Sequence, residues 1–296
     1  MHITRFRMLI AALLIAASTF TSAIAHPGSG IVVDRRGYVY FLDTGSGVWM
    51  IDPRGKLTRH EGQRFHWMAI DESERPFGAH LPAIRGGEVN AVGTNPTLLL
   101  SSDVPLVVGR DGALYYPEPG TDGHLRIMRF TRAGVKSVYV TLPANAAGGD
   151  RLWINGLAAG SDGSLYYTQD MSVRKIDARG VDFTLATNIA VTDCAQIPGI
   201  EAATPYLRGL AVATDGTVFV AASGCGAVLK ITPQGRLTTV LQTTTPWSPT
   251  AVAVSPSGVY VQEYLHTATE DRLAWVPRVR KILPNGSIVS IAAVKR

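Results

Sequence analysis

Apolar and polar positions along this chain fall into short runs that recur in a fixed order. A small or apolar residue leads three or four apolar positions, a turn of Asp or Ser with Gly follows, and an alternating run carrying an aromatic closes the phrase. Copies stand at Gly30-Ile31-Val32-Val33-Asp34 with Gly37-Tyr38-Val39-Tyr40-Phe41, at Leu106-Val107-Val108 with Ala113-Leu114-Tyr115-Tyr116, and at Gly156-Leu157-Ala158-Ala159 with Ser164-Leu165-Tyr166-Tyr167. Two more are Gly209-Leu210-Ala211-Val212 with Val218-Phe219-Val220, and Ala251-Val252-Ala253-Val254 with Val259-Tyr260-Val261. A degenerate copy fits at His66-Trp67-Met68-Ala69-Ile70-Asp71. Alternation marks strands covered on one face, and unbroken apolar runs mark strands covered on both.

Each phrase is trailed by a second pair of strands. Val48-Trp49-Met50-Ile51 and Lys56-Leu57-Thr58-Arg59 flank the turn Asp52-Pro53-Arg54-Gly55, and Ala227 to Ile231 and Arg236 to Val240 flank Thr232-Pro233-Gln234-Gly235. Such Pro-x-Gly turns punctuate hairpins. With almost no helical period present, each repeat reads as a four-stranded antiparallel meander. One such sheet cannot hide both of its faces, so repeats of roughly 40 to 50 residues must stack on one another. Radial stacking predicts an all-β, six-bladed β-propeller with four antiparallel strands per blade. A sandwich does not need a repeat of this length, and no seventh copy exists. The expected ring is one domain over residues 26–296, closed by packing of the last blade on the first.

Residues 1–25 read differently. Met1 to Arg7 are basic, Met8 to Phe20 are apolar, and Ala23-Ile24-Ala25 is a small-residue cleavage pattern. The apolar stretch falls short of the ~20 residues that span a bilayer. These features predict a signal peptide and a periplasmic or secreted product with no membrane span after its removal. The alternative is a retained N-terminal anchor. Net charge is +5, two of these charges being Arg5 and Arg7 of the leader, and the remaining basic residues are scattered. Nucleic acid is therefore not an expected partner. Export makes a disulfide between Cys194 and Cys225 the expected state, against two free thiols, since both fall in loops of the fifth repeat on the same face.

The run Asn155-Gly156-Leu157-Ala158-Ala159-Gly160-Ser161-Asp162-Gly163-Ser164-Leu165-Tyr166-Tyr167 resembles the Asn-Gly-Leu-Ala, Asp-Gly, Leu-Tyr phrase of the senescence marker protein/gluconolactonase family. The remaining copies resemble NHL repeats. The resemblance implies a divalent cation, usually calcium, at the mouth of the central channel, held by a Glu, one or two Asn and an Asp at the starts of inner strands. Residue by residue, only Asn155 matches. Arg208 stands in the place of the Asp, and Gly28-Ser29-Gly30, without a carboxylate, in the place of the Glu. No cofactor is firmly implied, and a divalent cation is disfavoured beside a guanidinium.

Starts of inner strands and ends of second strands open on one face of such a ring. There the repeat register collects His66, Glu263 and Arg208 as candidate catalytic residues, with Asn155, Asp43, Glu118, Gln169 and His266 as candidate ligand-binding residues. His66 beside Glu263 or Asp43 suits a general base, and Arg208 with Asn155 suits an oxyanion or an acidic substrate. The same side chains equally suit the turn caps and ion pairs of an ordinary propeller rim. The excursion from Tyr264 to Trp275 emerges on this face, where ligands are commonly met. His60-Glu61 with His66 has the wrong spacing for a metalloprotease helix. Nucleophile-elbow, phosphate-loop and zinc patterns are absent. The expected function is a small-molecule site, of a lactone or ester hydrolase type without the usual calcium carboxylates. The alternative is a non-catalytic NHL-type module that binds a ligand or a protein.

Overall fold

The computed structural model describes residues 27–77, 81–84, 87–143, 153–194, 197, 204–266 and 274–295. The expected leader and its cleavage point lie outside them. Blade 1 comprises β1 (Ile31–Val33), β2 (Val39–Asp43), β3 (Gly47–Ile51) and β4 (Leu57–Glu61). Blade 3 holds β10 (Val107–Val108), β11 (Leu114–Pro119), β12 (Leu125–Phe130) and β13 (Lys136–Thr141). In blade 4 the strands are β14 (Gly156–Ala159), β15 (Leu165–Gln169), β16 (Ser172–Ile176) and β17 (Asp182–Ala186). Blade 5 runs through β18 (Leu207–Val212), β19 (Val218–Ala222), a short 3-10 turn Ser223–Cys225, β20 (Ala227–Ile231) and β21 (Leu237–Gln242). Blade 6 contains β22 (Trp247–Ser255), β23 (Gly258–Leu265), β24 (Pro277–Ile282) and β25 (Ile288–Ala293). All five are antiparallel meanders in sequence order.

Blade 2 departs from that order. From β5 (Trp67–Asp71) the chain forms a ribbon of β6 (Ala83–Ile84) and β7 (Gly87–Glu88), then β8 (Asn90–Val92) and β9 (Thr97–Ser101). The strand paired to β5 is β9, with β8 beyond it, so the first partner arrives late in the sequence. No Asp-Gly turn leads straight out of β5, which is why this copy of the phrase is degenerate. Leu98, Leu99 and Leu100 of β9 are all fully buried, as an unbroken apolar run requires.

The recurring Asp-Gly phrase has a physical role. In Gly160-Ser161-Asp162-Gly163 the Gly163 amide donates to the Gly160 carbonyl, and the Asp162 carboxylate accepts from the Ser164 amide. Gly163 sits at φ +85°, in the left-handed region that costs a residue with a Cβ. Asp111 and Asp215 accept in the same way from the amides of Ala113 and Thr217. Each such turn ends an inner strand and sets the register of the next.

The core is divided among the blade interfaces. Among the described residues six buried apolar clusters form, one between each pair of neighbours around the ring. In the cluster that closes the circle, Ile31, Val39, Phe41 and Ile51 of blade 1 pack against Ala251, Ala253, Tyr260 and Val279 of blade 6. Among the described residues no strand is exchanged across this seam. The inner strands β1, β5, β10, β14, β18 and β22 surround a central channel of about 230 Å³. Ser29, Trp67, Gly156 and Gly209 line it near one end, where those strands begin.

Candidate functional site

The chain enters the ring across that end. The Pro27 carbonyl accepts from the Arg208 guanidinium, and the Gly28 carbonyl accepts from the Thr250 hydroxyl at 2.8 Å. The Ser29 amide donates to the His66 carbonyl at 2.7 Å. Three residues thus tie the starts of β18, β22 and β5 together. Gly30 is required here, because a Cβ would meet Leu42 Cδ1 at 2.4 Å and Met68 Cβ at 2.9 Å.

Arg208 is 5% exposed and forms no ion pair with an acid among the described residues. Burial pulls its guanidinium below the ordinary arginine value, and the Tyr206 and Tyr264 phenols oppose that pull. It remains a cation at any physiological pH. His266 lies within its field, 3% exposed and packed against Trp275 with ring centroids 4.9 Å apart and the planes tilted by 35°. Burial first, and Arg208 second, lower the His266 pKa to about 4, so its imidazole is neutral near pH 7. Neither ring nitrogen of His266 has a hydrogen-bond partner among the described residues. The buried Ser29 hydroxyl and the Trp275 indole nitrogen also lack one. Buried polar groups are ordinarily paired, so this concentration at one place is a chemical signal.

The other sequence-derived candidates separate into two groups. Asn155 stays at the mouth, its side-chain nitrogen donating to the Leu207 carbonyl at 3.1 Å, next to Arg208. His66 faces the same end, with Nδ1 2.9 Å from the Ser102 carbonyl. Asp43 accepts from the Gly45 amide at 3.0 Å and from the Ser46 hydroxyl, capping the β2–β3 turn. Gln169 closes β15, opposite Ser172.

Glu118 pairs with Lys136 at 2.6 Å. Glu263 is fully buried and held by Arg278 and Arg280, on the side of β23 that carries Val259 and Val261 against blade 5. Both carboxylate oxygens of Glu263, expected beside His66, are met by these two guanidiniums. Cys194 and Cys225 are disulfide-bonded, with Cα atoms 4.4 Å apart, fastening the loop before β18 to the turn after β19. The sequence reading did not single out Trp275. Its one signal was an aromatic ending the Tyr264 to Trp275 excursion, of which residues 267–273 lie outside the described part.

Arg208 stands where the family resemblance puts a carboxylate ligand. Among the described residues no group of three or more His, Cys, Asp or Glu side chains is placed to hold a metal. A buried guanidinium there would repel the ion.

A closed ring of six sheets around a channel, polar at one mouth, defines the β-propeller class. Residues 107–261 match the SMP-30/gluconolactonase/LRE-like region family, and the chain belongs to it. Solved structures give the same fold at low identity. A calcium-binding protein, regucalcin, from Agrobacterium tumefaciens aligns with TM-score 0.53 and 15% identity, over 83% of this chain and 84% of that one. A gluconolactonase from Xanthomonas campestris aligns with TM-score 0.51 and 16% identity, over 80% and 84%. A catalytically inactive virginiamycin B lyase from Staphylococcus aureus, solved with quinupristin, aligns with TM-score 0.50 and 16% identity, over 91% and 85%. No curated protein matches the sequence.

Proposed function

We propose that this protein is an exported propeller that takes a small lactone or ester at the channel mouth and hydrolyses it without a divalent cation. The observation that carries the reading is the joint burial of the Arg208 and His266 side chains, to which the described residues offer one hydrogen-bond partner, the Pro27 carbonyl on Arg208. Membership of the gluconolactonase-like family favours lactone chemistry.

The steps balance with this chain's own groups. A neutral His266 nitrogen accepts a proton from water as the water oxygen bonds to the carbonyl carbon. The charge that gathers on the carbonyl oxygen is met by the free N–H groups of Arg208. The ring carbon–oxygen bond then breaks, and the leaving alkoxide recovers the proton from His266, giving a hydroxy acid. Negative charge beside Arg208 offsets the field that depresses His266, so its proton affinity rises as the reaction proceeds.

Assaying a panel of lactones and esters against wild type, His266→Ala and His66→Ala tests this. The expected result is turnover that falls by about 10²-fold or more in His266→Ala. Background-level hydrolysis of every substrate by the wild type would refute the enzymatic reading and favour the non-catalytic module.

A further inference from the structure

We propose that the Arg208 guanidinium is the fixed cation of this mouth, in the place where calcium is expected from the family resemblance, and that it receives a carboxylate. This rests on the mouth being the small-molecule site, and it adds the charge and shape of the ligand.

The argument is one of supply and demand in hydrogen bonds. Arg208 carries five N–H donors. Among the described residues its guanidinium has one acceptor, the Pro27 carbonyl. Neutral His266 and the Ser29 hydroxyl each add a donor and an acceptor, which leaves the balance unchanged, and neither has a partner among the described residues. Among the described residues the mouth is therefore short of acceptors, and no acid pairs with the Arg208 charge. A sugar hydroxyl brings a donor with every acceptor and leaves the charge unmet. A divalent ion brings no acceptor and is repelled. A carboxylate brings acceptors alone, in the plane that a guanidinium fork matches, and cancels the charge. The product of the proposed hydrolysis is such a carboxylate.

Arg208 is also held in a way that suits a fixed cation. It sits on the inner strand β18, with its own carbonyl accepting from the Thr168 hydroxyl at 3.1 Å. Its head group is tied to the segment entering blade 1. The backbone is thus anchored to blade 4 and the side chain to the segment entering blade 1.

Thermal unfolding of the full-length protein as purified, with gluconate, acetate, inorganic phosphate or calcium chloride added, and with or without a chelator, tests the proposal. Gluconate or acetate is expected to raise the midpoint with concentration, while calcium and chelator leave it in place. Arg208→Met should lose the carboxylate response. Arg208→Lys, which keeps the charge but not the fork, should fold and bind roughly tenfold more weakly or worse.

Calcium stabilisation of the wild type, no response to either carboxylate, a response to phosphate alone, or gluconate binding of undiminished strength in Arg208→Lys would each overturn it. Carboxylate binding without lactone turnover would sink only the enzymatic reading. Turnover without a carboxylate response would sink only this one.

Discussion

Arg280 contacts both carboxylate oxygens of Glu263, its Nε lying 3.0 Å from Oε1 and 2.9 Å from Oε2, while Arg278 Nε reaches Oε2 at 2.5 Å. The glutamate side chain is wholly buried and the two arginines are partly buried, Arg280 at 15% and Arg278 at 19% exposed. Arg278 also lies over the Trp247 ring, 3.8 Å from its centroid. One carboxylate therefore holds two guanidiniums together and balances one of their two charges. Glu263→Gln should destabilise the protein by about 3–5 kcal/mol, because it strands two partly buried cations. Denaturant titration reads this directly. Replacing all three by apolar residues of similar size should recover much of the loss. If Glu263→Gln folds normally yet loses lactone turnover, the structural account of Glu263 is wrong.

The Glu263 case shows where sequence reading stops. Six blades were legible because inner-strand runs such as Leu210-Ala211-Val212 and turns such as Asp162-Gly163 are local patterns with local causes. The mouth set was legible as positions, since register alone puts Asn155, Arg208 and His66 at strand starts. Which way a side chain leans and what holds it there is tertiary. Arg278 and Arg280 alternate with Val279 along β24, a pattern that suits a strand with one solvated face, yet both hold the buried Glu263. The late return of β9 to β5 is non-local pairing, for which no short motif exists.

The disulfide closes a loop with its cysteines 31 residues apart in sequence. In the chain-entropy account such a crosslink stabilises by about 4 kcal/mol. The Cys194→Ser/Cys225→Ser double variant should melt well below the oxidised wild type, and reductant should lower the wild-type midpoint while leaving the variant's unchanged. Because the bridge anchors the loop leading to β18, gluconate affinity is also expected to weaken. A variant that melts with the wild type would show that the loop is held by other contacts, such as the buried Ile197.

Acid should unfold this protein partly through His266. Its pKa is near 4 when folded, against an ordinary value of 6.5, lowered by burial and by Arg208. Between those two values the unfolded chain binds the extra proton, so stability falls as pH drops from about 6.5 towards 4 and is indifferent to this group above that window. The shift corresponds to about 3 kcal/mol. His266→Gln should flatten that part of the stability profile measured by urea titration at successive pH values. An unchanged slope would mean that His266 is exposed or paired in solution. Bound carboxylate should shift the acid limb to lower stability loss, because it offsets the charge of Arg208.

The closeness of the inner strands supplies a last test, aimed at the site through the backbone. A Cβ added at Gly156 would stand 2.5 Å from the Arg208 carbonyl and 2.8 Å from Leu210 Cδ2. At Gly123 the same atom meets nothing within 4 Å, although φ there is +82°. Gly123→Ala should therefore cost about 1–2 kcal/mol from backbone conformation alone, with ligand binding intact. Gly156→Ala pays for overpacking, about 1–3 kcal/mol, and must push β18 away at the residue that carries the guanidinium. Its gluconate affinity is expected to fall along with its stability, whereas Gly123→Ala loses stability only. Equal gluconate binding by the two variants would disconnect Arg208 from the ligand, since its carbonyl is the atom nearest to the added Cβ of Gly156.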